Sequence, residues 1–394
     1  MEDLLELVAR LPCGRKLLDA ARGRTGVHLV GGAVRDLLLG REPRELDVVV
    51  EGDVAALAHE LGSDATVHER FGTATVVAGG CRFDLAAARA ESYAAPGALP
   101  DVRLAGIDED LRRRDVTVNA LALDLATGEL RAVEHARDDL AAGRLRVLHD
   151  ASFEDDPTRL WRIARYAARL GFEPEERTAR LAAQAVAGDA LATVSGTRIG
   201  NELRLALGEP DPVAALQAAA ALGLASWAAP DRAVVEAALG LLPAGEGRAD
   251  LVVLASIAPD APQMDVLLDE LGFTAAERAV LRAAARAPRL AAALRDPAAW
   301  RPSALAAILR GVPVEAVALA GAHGAAEAAQ RWLDDLRHVA LQIDGDDLLA
   351  AGIARGPEIG ARLRAALDRR LDGELGAGSD AELAAALEAA PGDP

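Results

Sequence analysis

The sequence of 394 residues is short of aromatic residues, cysteines and lysines. Aromatic residues make up 3%, Cys13 and Cys81 are the only cysteines, and Lys16 is the only lysine. Two cysteines are too few for a disulfide-stapled fold or a cysteine-based zinc site, which favours a reducing compartment, the cytoplasm. No apolar run is long enough to span a bilayer, and the acidic N-terminal segment, a predicted amphipathic helix, lacks the features of a signal peptide. We therefore expect a cytoplasmic globular protein without a membrane partner.

The charge balance of the chain is acidic, with a formal net charge of −18. A general nucleic-acid binder is usually basic, so any contact with RNA must come from a local stripe of basic residues. Arginine supplies nearly all of the positive charge, and its guanidinium suits bidentate contacts with phosphates and base edges. A genome rich in G and C would produce the same arginine bias without a functional reason.

The chain divides into a mixed half and a helical half. Between residue 27 and about residue 150, β-branched runs alternate with helical patterns, and Gly79-Gly80 indicates a tight hairpin. From about Phe153 onward, Ala, Leu and Arg recur at helical spacing, and no repeat of fixed period is present. The mixed half predicts a small sheet with helices on one face, in the order β-α-β-α-β-β. Its predicted elements are strands at 28–30, 46–50, 73–78 and 81–86 and helices at 33–39 and 54–61.

A glycine turn opens the mixed half. Gly31 and Gly32 lie between a predicted strand and a predicted helix, where glycine allows the backbone to approach a phosphate closely. Arg35 follows about one helical turn later, within reach of a triphosphate. Taken alone, this pattern is more typical of an ordinary tight turn.

Carboxylates follow at the next predicted strand. Glu45 and Asp47 are two residues apart, so both side chains point to the same face. Paired carboxylates repel each other unless a cation lies between them, and Mg²⁺ accepts one or two carboxylates together with substrate phosphates. Asp84, on the second strand of the hairpin, is a candidate third carboxylate. An isolated pair is more often a solvated strand edge, but the glycine turn and Arg35 beside it favour a metal site.

Two arginine-rich segments come later in the chain. Residues 112–114 are three consecutive arginines between Asp110 and Asp115, and they form either a solvated turn or a site for an anion. Residues 153–172 predict one helix that carries Pro157 in its first turn and is closed by Gly171. A stripe on this helix contains Arg159, Arg162, Arg165 and Arg169.

Asp156 lies three residues before Arg159, at the start of the same predicted helix. A carboxylate acceptor beside a guanidinium donor can match the hydrogen-bonding edge of C or A, since both bases present an exocyclic amino group and a ring acceptor. The alternative is a salt bridge at the start of the helix, with the remaining arginines on the surface.

Together these segments resemble the bacterial and eukaryotic class of CCA-adding tRNA nucleotidyltransferases and bacterial poly(A) polymerases, within the polymerase-β-like superfamily. The family pattern GGxVRDxLLG…DxD is similar to residues 31–47, DLxRRDFTxNA to residues 110–120, and EDxxR to residues 155–159. The likeness is specific across residues 27–205 and thin from 206 to 340. The sequence departs from the pattern at Glu45, Val116 and Asp155, where the family has Asp, Phe and Glu.

The resemblance implies an α+β nucleotidyltransferase head followed by an all-α neck, body and tail. An N-terminal helix would occupy residues 1–26, the catalytic head 27–150, the base-reading neck 151–205, and the tRNA-binding body and tail 206–394. Glu45 and Asp47 would hold Mg²⁺, with Asp84 as a further catalytic carboxylate. The nucleotide would contact Gly31, Gly32, Arg35, Arg114, Asp115, Asn119, Asp156, Arg159, Arg162 and Arg165.

The reaction implied by the resemblance is addition of CMP and AMP, from CTP and ATP, to the 3′ end of tRNA. An RNA 3′-hydroxyl would attack the α-phosphate, and pyrophosphate would leave, with two metal ions at the reacting atoms. Narrower activities remain open: A addition only, CC addition only, or poly(A) synthesis. A catalytically inactive RNA-binding relative is the alternative from another class, since Glu45 replaces the family's Asp.

Overall fold

The computed structural model describes residues 3–68, 72–224, 229–257, 262–376 and 378–389. The chain forms two compact units, Met1–Ser226 and Trp227–Pro394. The strands, all in the first unit, are β1 (Val27–Val30), β2 (Asp47–Val50), β3 (Ala65–His68), β4 (Thr73–Ala78), β5 (Cys81–Ala87), β6 (Arg89–Ser92), β7 (Asp101–Leu104), β8 (Leu121–Asp124), β9 (Leu130–Ala132), β10 (Arg144–Leu145) and β11 (Glu173–Pro174).

The first unit also contains eleven α-helices among its described residues. They are α1 (Leu4–Arg10), α2 (Gly14–Ala21), α3 (Gly32–Leu38), α4 (Val54–Leu61), α5 (Ile107–Arg112), α6 (Ala136–Ala142), α7 (Ser152–Asp155), α8 (Arg159–Leu170), α9 (Glu176–Ala187), α10 (Gly196–Leu207) and α11 (Pro212–Ala221).

The N-terminal segment is a pair of short helices, where the sequence predicts one. Asp3 caps α1 by accepting a hydrogen bond from the backbone N–H of Leu5. Cys13 then takes a left-handed conformation, with φ of 71°, and turns the chain into α2. Gly14 lies against the carbonyl oxygen of Val8, where any side chain would collide, so the sharp turn requires glycine at this position.

A disulfide joins Cys13 to Cys81 at the start of β5, with a Cα–Cα distance of 5.7 Å. Two cysteines do not form a framework of several disulfides, as expected. They do, however, form one cross-link, which the sequence analysis did not predict. The cysteines are 68 positions apart, and only the packing of α2 on α4 beside the sheet brings them together. Cysteine content therefore gives no support to the expectation of a reducing compartment.

A seven-stranded mixed sheet forms the body of the head, in the order β3-β4-β5-β2-β1-β8-β9. The predicted strands and helices of this region are confirmed to within one residue at most ends. The sequence missed β3, an edge strand whose four residues alternate between half-buried and exposed. β2 and β5 run parallel and place the Cα atoms of Asp47 and Asp84 side by side.

Apolar packing occurs on both faces of the sheet, whereas the sequence predicts helices on one face only. The larger core lies between one face and the helices α1 to α4, and includes Leu17, Leu29, Leu57 and Phe83. On the opposite face, α5 covers one region with Ile107 and Leu111. Because Asp47 alternates with Val48, its side chain belongs to the same face as the α5 core, beyond the area that α5 covers.

The predicted helix at 153–172 is interrupted. α7 ends at Asp155, Asp156 adopts an extended conformation (φ −138°, ψ 91°), and α8 begins at Arg159. Proline disfavours a helical conformation in the residue before it, so Pro157 places the break at Asp156. Gly171 closes α8 in the left-handed conformation, as predicted. α11 packs against α8, so the first unit extends past residue 205.

The described residues of the second unit contain helices and no strand. They are α12 (Arg232–Leu241), α13 (Ala249–Ala255), α14 (Pro262–Glu270), α15 (Ala275–Ala284), α16 (Ala287–Leu294), α17 (Pro302–Leu309), α18 (Val314–Ala320), α19 (Ala326–Asp334), α20 (Gly345–Ala350), α21 (Pro357–Leu371) and α22 (Ser379–Glu388). The predicted fold class, an α+β head followed by a helical remainder, is confirmed. None of the helices found in the described part of the chain is both long and apolar enough to cross a membrane.

Candidate active site

A cavity of about 730 Å³ lies within the first unit, on the face of the sheet that carries Asp47. Of the thirteen residues predicted for metal, catalysis or nucleotide binding, the cavity lining contains all except Asp84. The lining includes Gly31, Gly32, Arg35, Glu45, Asp47, Arg114, Asp115, Asn119, Asp156, Arg159, Arg162 and Arg165. Segments more than a hundred positions apart in sequence therefore meet in one cavity.

The glycine turn forms one wall of the cavity. Gly31 has φ of 67°, and a Cβ atom there would lie 2.8 Å from Nη1 of Arg114. A Cβ atom on Gly32 would lie 3.3 Å from Nη2 of Arg35. Both glycines therefore let guanidinium groups lie directly against the turn, in addition to allowing its backbone conformation.

Glu45 and Asp47 form what we call the carboxylate end of the cavity. Asp47 is the first residue of β2, and Glu45 lies just before the strand. The pKa of Asp47 is raised because desolvation disfavours its charged form, and the nearby carboxylates of Glu45 and Asp84 raise it further. Arg114 acts in the opposite direction. A cation beside Asp47 would stabilise its charged form.

Asp84 lies beside Asp47 in the sheet, as predicted, but its carboxylate is already bound. The hydroxyl of Thr75 donates to Asp84 Oδ1 at 2.7 Å, and Nε of Arg82 donates to Oδ2 at 3.0 Å. These hydrogen bonds lower the pKa of Asp84 although burial opposes them. Within the described ranges, no group of three or more His, Cys, Asp or Glu residues is arranged to hold a metal ion.

Two of the three consecutive arginines, Arg113 and Arg114, have anionic partners inside the protein. Asp110 is fully buried and accepts hydrogen bonds from Arg113 and from Arg114, at 2.8 and 2.9 Å for their Nη2 atoms. Arg113 also donates to Glu91 at 2.8 Å. The neighbouring guanidinium groups lower the pKa of Asp110 against the effect of burial. Arg113 and Arg114 face the cavity, whereas Arg112 lines a separate depression.

Asp115 and Asn119 link the head to α8. Asp115 Oδ1 accepts from the backbone N–H of Val116 at 2.8 Å and from Asn119 Nδ2 at 3.2 Å. Its Oδ2 accepts from Arg162 Nη1 at 3.1 Å and from the Tyr166 hydroxyl at 2.7 Å. These donors lower the pKa of the buried carboxylate although burial alone would raise it.

Base reading by Asp156 and Arg159 stays a prediction. Among the described residues the two form no ion pair with each other, so the alternative of a salt bridge between them is wrong. Asp156 Oδ1 accepts from the N–H and hydroxyl of Thr158 and from Arg198 Nη2 at 2.9 Å. Arg159 is only 3% exposed and donates to the Ser152 hydroxyl at 2.8 Å and to the carbonyl of Arg113 at 3.0 Å. Both side chains nevertheless line the cavity.

The predicted arginine stripe is confirmed, and its four members line one side of the cavity, which we call the arginine end. Glu202 and Glu209 lie behind it. Arg165 donates to Glu202 at 2.8 Å, and Arg169 makes a bidentate contact with Glu209 at 2.6 and 2.7 Å. The stripe consists of Arg159, Arg162, Arg165 and Arg169.

The Nε atoms of Arg162 and Arg165 face the glutamates behind the stripe. Arg162 Nε lies 3.5 Å from Glu202 and Arg165 Nε lies 3.3 Å from Glu209, so both form ion pairs without the geometry of a hydrogen bond. These ion pairs hold the stripe in place, and the cavity side of the stripe presents guanidinium groups that can bind phosphate oxygens.

Sequence reasoning missed several residues of the cavity. Glu91 and Tyr93 lie on and just after β6, and the Tyr93 hydroxyl donates to Glu91 at 3.1 Å. Sequence reasoning assigned no role to Tyr166, although its buried hydroxyl donates to Asp115 at 2.7 Å. Glu209, 1% exposed at its side chain, had no signal in the local sequence.

A mixed sheet with a glycine turn, carboxylates on the neighbouring strand and a helical neck of arginines defines a nucleotidyltransferase head. Residues 27–146 match the family described as the poly A polymerase head domain. Residues 27–146 therefore form a poly A polymerase head domain.

Two curated relatives illustrate the similarity in sequence. The chain is 47% identical over 204 residues to the A-adding tRNA nucleotidyltransferase of Halalkalibacterium halodurans, covering 49% of this chain and 48% of that protein. It is 44% identical over 197 residues to the CC-adding tRNA nucleotidyltransferase of Deinococcus radiodurans, covering 48% and 51%. The chain thus spans about half the length of these relatives.

Solved structures match nearly the whole chain. A CCA-adding enzyme in its apo form II has a TM-score of 0.80 and 28% identity, covering 98% of this chain and 96% of that one. A complex of a CCA-adding enzyme with CTP has a TM-score of 0.78 and 27% identity, covering 98% of each chain. The Thermotoga maritima CCA-adding enzyme with tRNA has a TM-score of 0.75 and 26% identity, also covering 98% of each.

Proposed function

We propose that this protein transfers nucleotides from CTP and ATP to the 3′ end of tRNA. The observation that carries the proposal is the single cavity that joins a carboxylate end, a glycine turn and an arginine end. The carboxylate end would bind a cation, the glycine turn and the arginine end would bind the phosphates, and Asp156 with Arg159 would contact the base. The similarity of the chain to CCA-adding enzymes over nearly its whole length supports the same reading.

The triphosphate would lie between the glycine turn and the arginine end. Arg114 lies against Gly31, and Arg35 lies against Gly32 with its Nη1 donating to Asn119 Oδ1 at 2.5 Å. The arginines of the stripe line the same cavity, and the Arg162 side chain is 39% exposed. Guanidinium groups bind phosphate oxygens through charge-assisted hydrogen bonds, so this wall is suited to a polyanion.

The base would lie at Asp156 and Arg159. All described hydrogen bonds to Asp156 go to Oδ1, which leaves Oδ2 to accept from the exocyclic amino group of C or A. Arg198 fixes the carboxylate from one side and also donates to the carbonyl of Gly97 at 2.7 Å. Arg159 is held between Ser152 and Arg113, so its position is set before a nucleotide arrives.

The carboxylate end fits Mg²⁺. Two oxygen ligands from the protein, with phosphate and water oxygens completing the shell, are typical of a magnesium site at a triphosphate. Burial raises the pKa of Asp47, and the Glu45 and Asp84 carboxylates raise it further, so a cation there would stabilise the charged form. Glu45 and Asp47 would therefore hold the metal, and Asp84 would support Asp47 from the neighbouring strand. The bound metal would stabilise charge on the phosphate and lower the pKa of the attacking hydroxyl.

The protein's own residues perform binding and orientation. The tRNA 3′-hydroxyl would attack the α-phosphate beside Asp47, and pyrophosphate would leave along the side lined by Arg35 and the stripe. Holding both reactants in one cavity converts a bimolecular step into an effectively unimolecular one. Arginines that remain paired with Glu202 and Glu209 are fixed before the reaction begins, which limits the reorganisation needed.

One experiment separates the possible specificities. The protein would be incubated with tRNAs that lack the CCA end, lack only its final A, or are complete, with CTP or ATP supplied alone or together. CCA addition predicts full extension of the first tRNA when both nucleotides are present. An A-adding enzyme would extend only the second tRNA, a CC-adding enzyme would stop before A, and a poly(A) polymerase would extend the complete tRNA repeatedly.

Asp47→Ala is the control for chemistry in this assay. If the wild-type protein binds tRNA yet incorporates neither nucleotide on any of the three tRNAs, the proposal is wrong and an inactive RNA-binding relative is the better description. Incorporation by the wild type that persists in Asp47→Ala would show that the activity arises elsewhere.

A further inference from the structure

A chain of buried hydrogen bonds runs across the cavity wall from α3 to α8. Arg35 donates to Asn119 Oδ1, Asn119 Nδ2 donates to Asp115 Oδ1, and Arg162 and Tyr166 donate to Asp115 Oδ2. The orientation of the Asn119 amide is fixed, since a guanidinium requires an acceptor and a carboxylate requires a donor. Arg35, Asp115, Asn119 and Tyr166 are all less than 9% exposed.

The two residues of α8 that donate to Asp115, Arg162 and Tyr166, differ in whether a nucleotide can bind them. The Arg162 side chain is 39% exposed, and it lines the cavity. A phosphate that enters the cavity would compete with Asp115 for its guanidinium. The Tyr166 hydroxyl is neutral, and burial together with Asp115 raises its pKa, so it remains a donor. Tyr166 can therefore satisfy Asp115 while Arg162 turns to a ligand.

We infer that the Tyr166 hydroxyl is a positioning group: by holding Asp115 Oδ2, it leaves Arg162 available to the nucleotide and keeps the Asp115–Asn119–Arg35 chain in place. The inference rests on the proposed function, because it assigns Arg162 to the nucleotide. Without the hydroxyl, Oδ2 of Asp115 would depend on Arg162 alone and would retain it, while Oδ1 would keep its bonds to Val116 and Asn119. A buried carboxylate that loses a donor binds its remaining partner more tightly, since an unsatisfied acceptor is costly.

The test is a double-mutant cycle of Tyr166→Phe and Arg162→Ala, with KM for CTP and ATP and kcat measured separately. Tyr166→Phe removes one oxygen atom and should raise KM about tenfold while kcat changes less than about twofold, a coupling typical of residues in one network. In the Arg162→Ala background, Tyr166→Phe should change KM by less than about twofold, because Asp115 then has no Arg162 guanidinium to keep from the nucleotide.

Thr117→Val is a matched control. The buried Thr117 hydroxyl donates to Asp139 at 2.7 Å, and Asp139 also binds Arg146, so the same hydroxyl, carboxylate and guanidinium arrangement occurs outside the cavity. Thr117→Val should lower the thermal midpoint without changing KM. All kinetics would be run at a temperature where circular dichroism shows each variant to be folded.

Two outcomes would overturn the inference. One is an unchanged KM in Tyr166→Phe; the other is a rise in KM that persists in the Arg162→Ala background, which would make the hydroxyl a general structural contact. If the wild type incorporates no nucleotide, the proposed function fails separately. The same cycle, measured by equilibrium binding of CTP, would then still decide the role of Tyr166.

Discussion

The two ends of the cavity shift the pKa of a buried carboxylate in opposite directions. At the carboxylate end, Asp47 has a raised pKa, because neighbouring carboxylates reinforce the effect of desolvation. At the arginine end, Asp115 has a lowered pKa, because four donors surround its carboxylate. One end is therefore complete only when a cation arrives, whereas the other is already assembled. This difference predicts that substitutions at the first end affect chemistry, and that substitutions at the second affect stability and selection.

The largest expected effect is at Asp47. Asp47→Asn should lower kcat by about a thousandfold or more, since several kcal/mol of charge stabilisation at the phosphate depends on the metal. The thermal midpoint should stay the same or rise at neutral pH, because the raised pKa shows that the fold disfavours the charged carboxylate. Single-turnover incorporation and thermal unfolding are the two measurements.

Near-normal incorporation by Asp47→Asn would remove the distinction between the two ends. A marked loss of stability with activity retained would show that Asp47 stabilises the fold and does not take part in the reaction.

Asp110 should show the opposite behaviour. Asp110→Ala removes the buried partner of Arg113 and Arg114, so it should lower the free energy of unfolding by about 3 kcal/mol or more. The pKa of Asp110 is below its ordinary value of 3.8, so its stabilising contribution is present above that value and is lost as pH falls through the folded-state pKa. Urea unfolding of the wild type and of Asp110→Ala at pH 7 and at pH 3 measures the difference in their free energies of unfolding, which should be smaller at pH 3.

If this difference in free energy of unfolding is the same at both pH values, the loss of stability arises from packing and not from charge. Arg112→Ala is the matched control, because Arg112 belongs to the same run but faces away from the cavity.

The residues that we propose to read the base should give a smaller, selective effect. Arg159→Ala should relax discrimination among nucleotides and cost about 1–3 kcal/mol of transition-state binding, the contribution of a good bidentate base contact. Asp156→Ala should weaken the preference for bases with an exocyclic amino group. The measurement is kcat/KM for CTP, ATP, UTP and GTP on one tRNA.

Uniform loss of activity with unchanged ratios among the four nucleotides would argue against base reading. The pair would then be structural, consistent with its contacts to Thr158, Arg198 and Ser152.

The smallest effect is expected for Glu45→Asp. This change shortens the carboxylate by one methylene and restores the residue found in the family pattern. Activity should be retained or should rise by a few-fold at most, and the Mg²⁺ concentration for half-maximal activity should be similar or lower. A strong loss would show that the longer side chain is matched to the rest of this cavity.

The sequence predicted the head most accurately where local signals are strong. The glycine turn, Asp47 on its strand and the glycine that ends α8 are set by short-range rules of backbone conformation, and the structure confirms their places. Twelve of the thirteen predicted site residues line one cavity, because the resemblance to a family conveyed long-range information that periodicity cannot.

What the sequence did not predict depends on contacts between distant segments. The break at Asp156 was missed because Pro157 fits both a first helical turn and a kink, and only packing decides between them. The partners of the arginine stripe, Glu202 and Glu209, lie 37 and 40 positions away from Arg165 and Arg169. The disulfide was missed for the same reason, since nothing near Cys13 indicates Cys81.

That disulfide makes part of the chain a covalent ring. The ring runs from Cys13 to Cys81 and contains the glycine turn together with Glu45 and Asp47. A protease that cuts anywhere inside it would leave two fragments linked through sulfur, which migrate as one species until a thiol is added. Closure of a ring of this size also restricts the unfolded chain, worth about 4 kcal/mol in the chain-entropy treatment. The glycine turn and the carboxylate end are thus tethered even after their backbone is nicked.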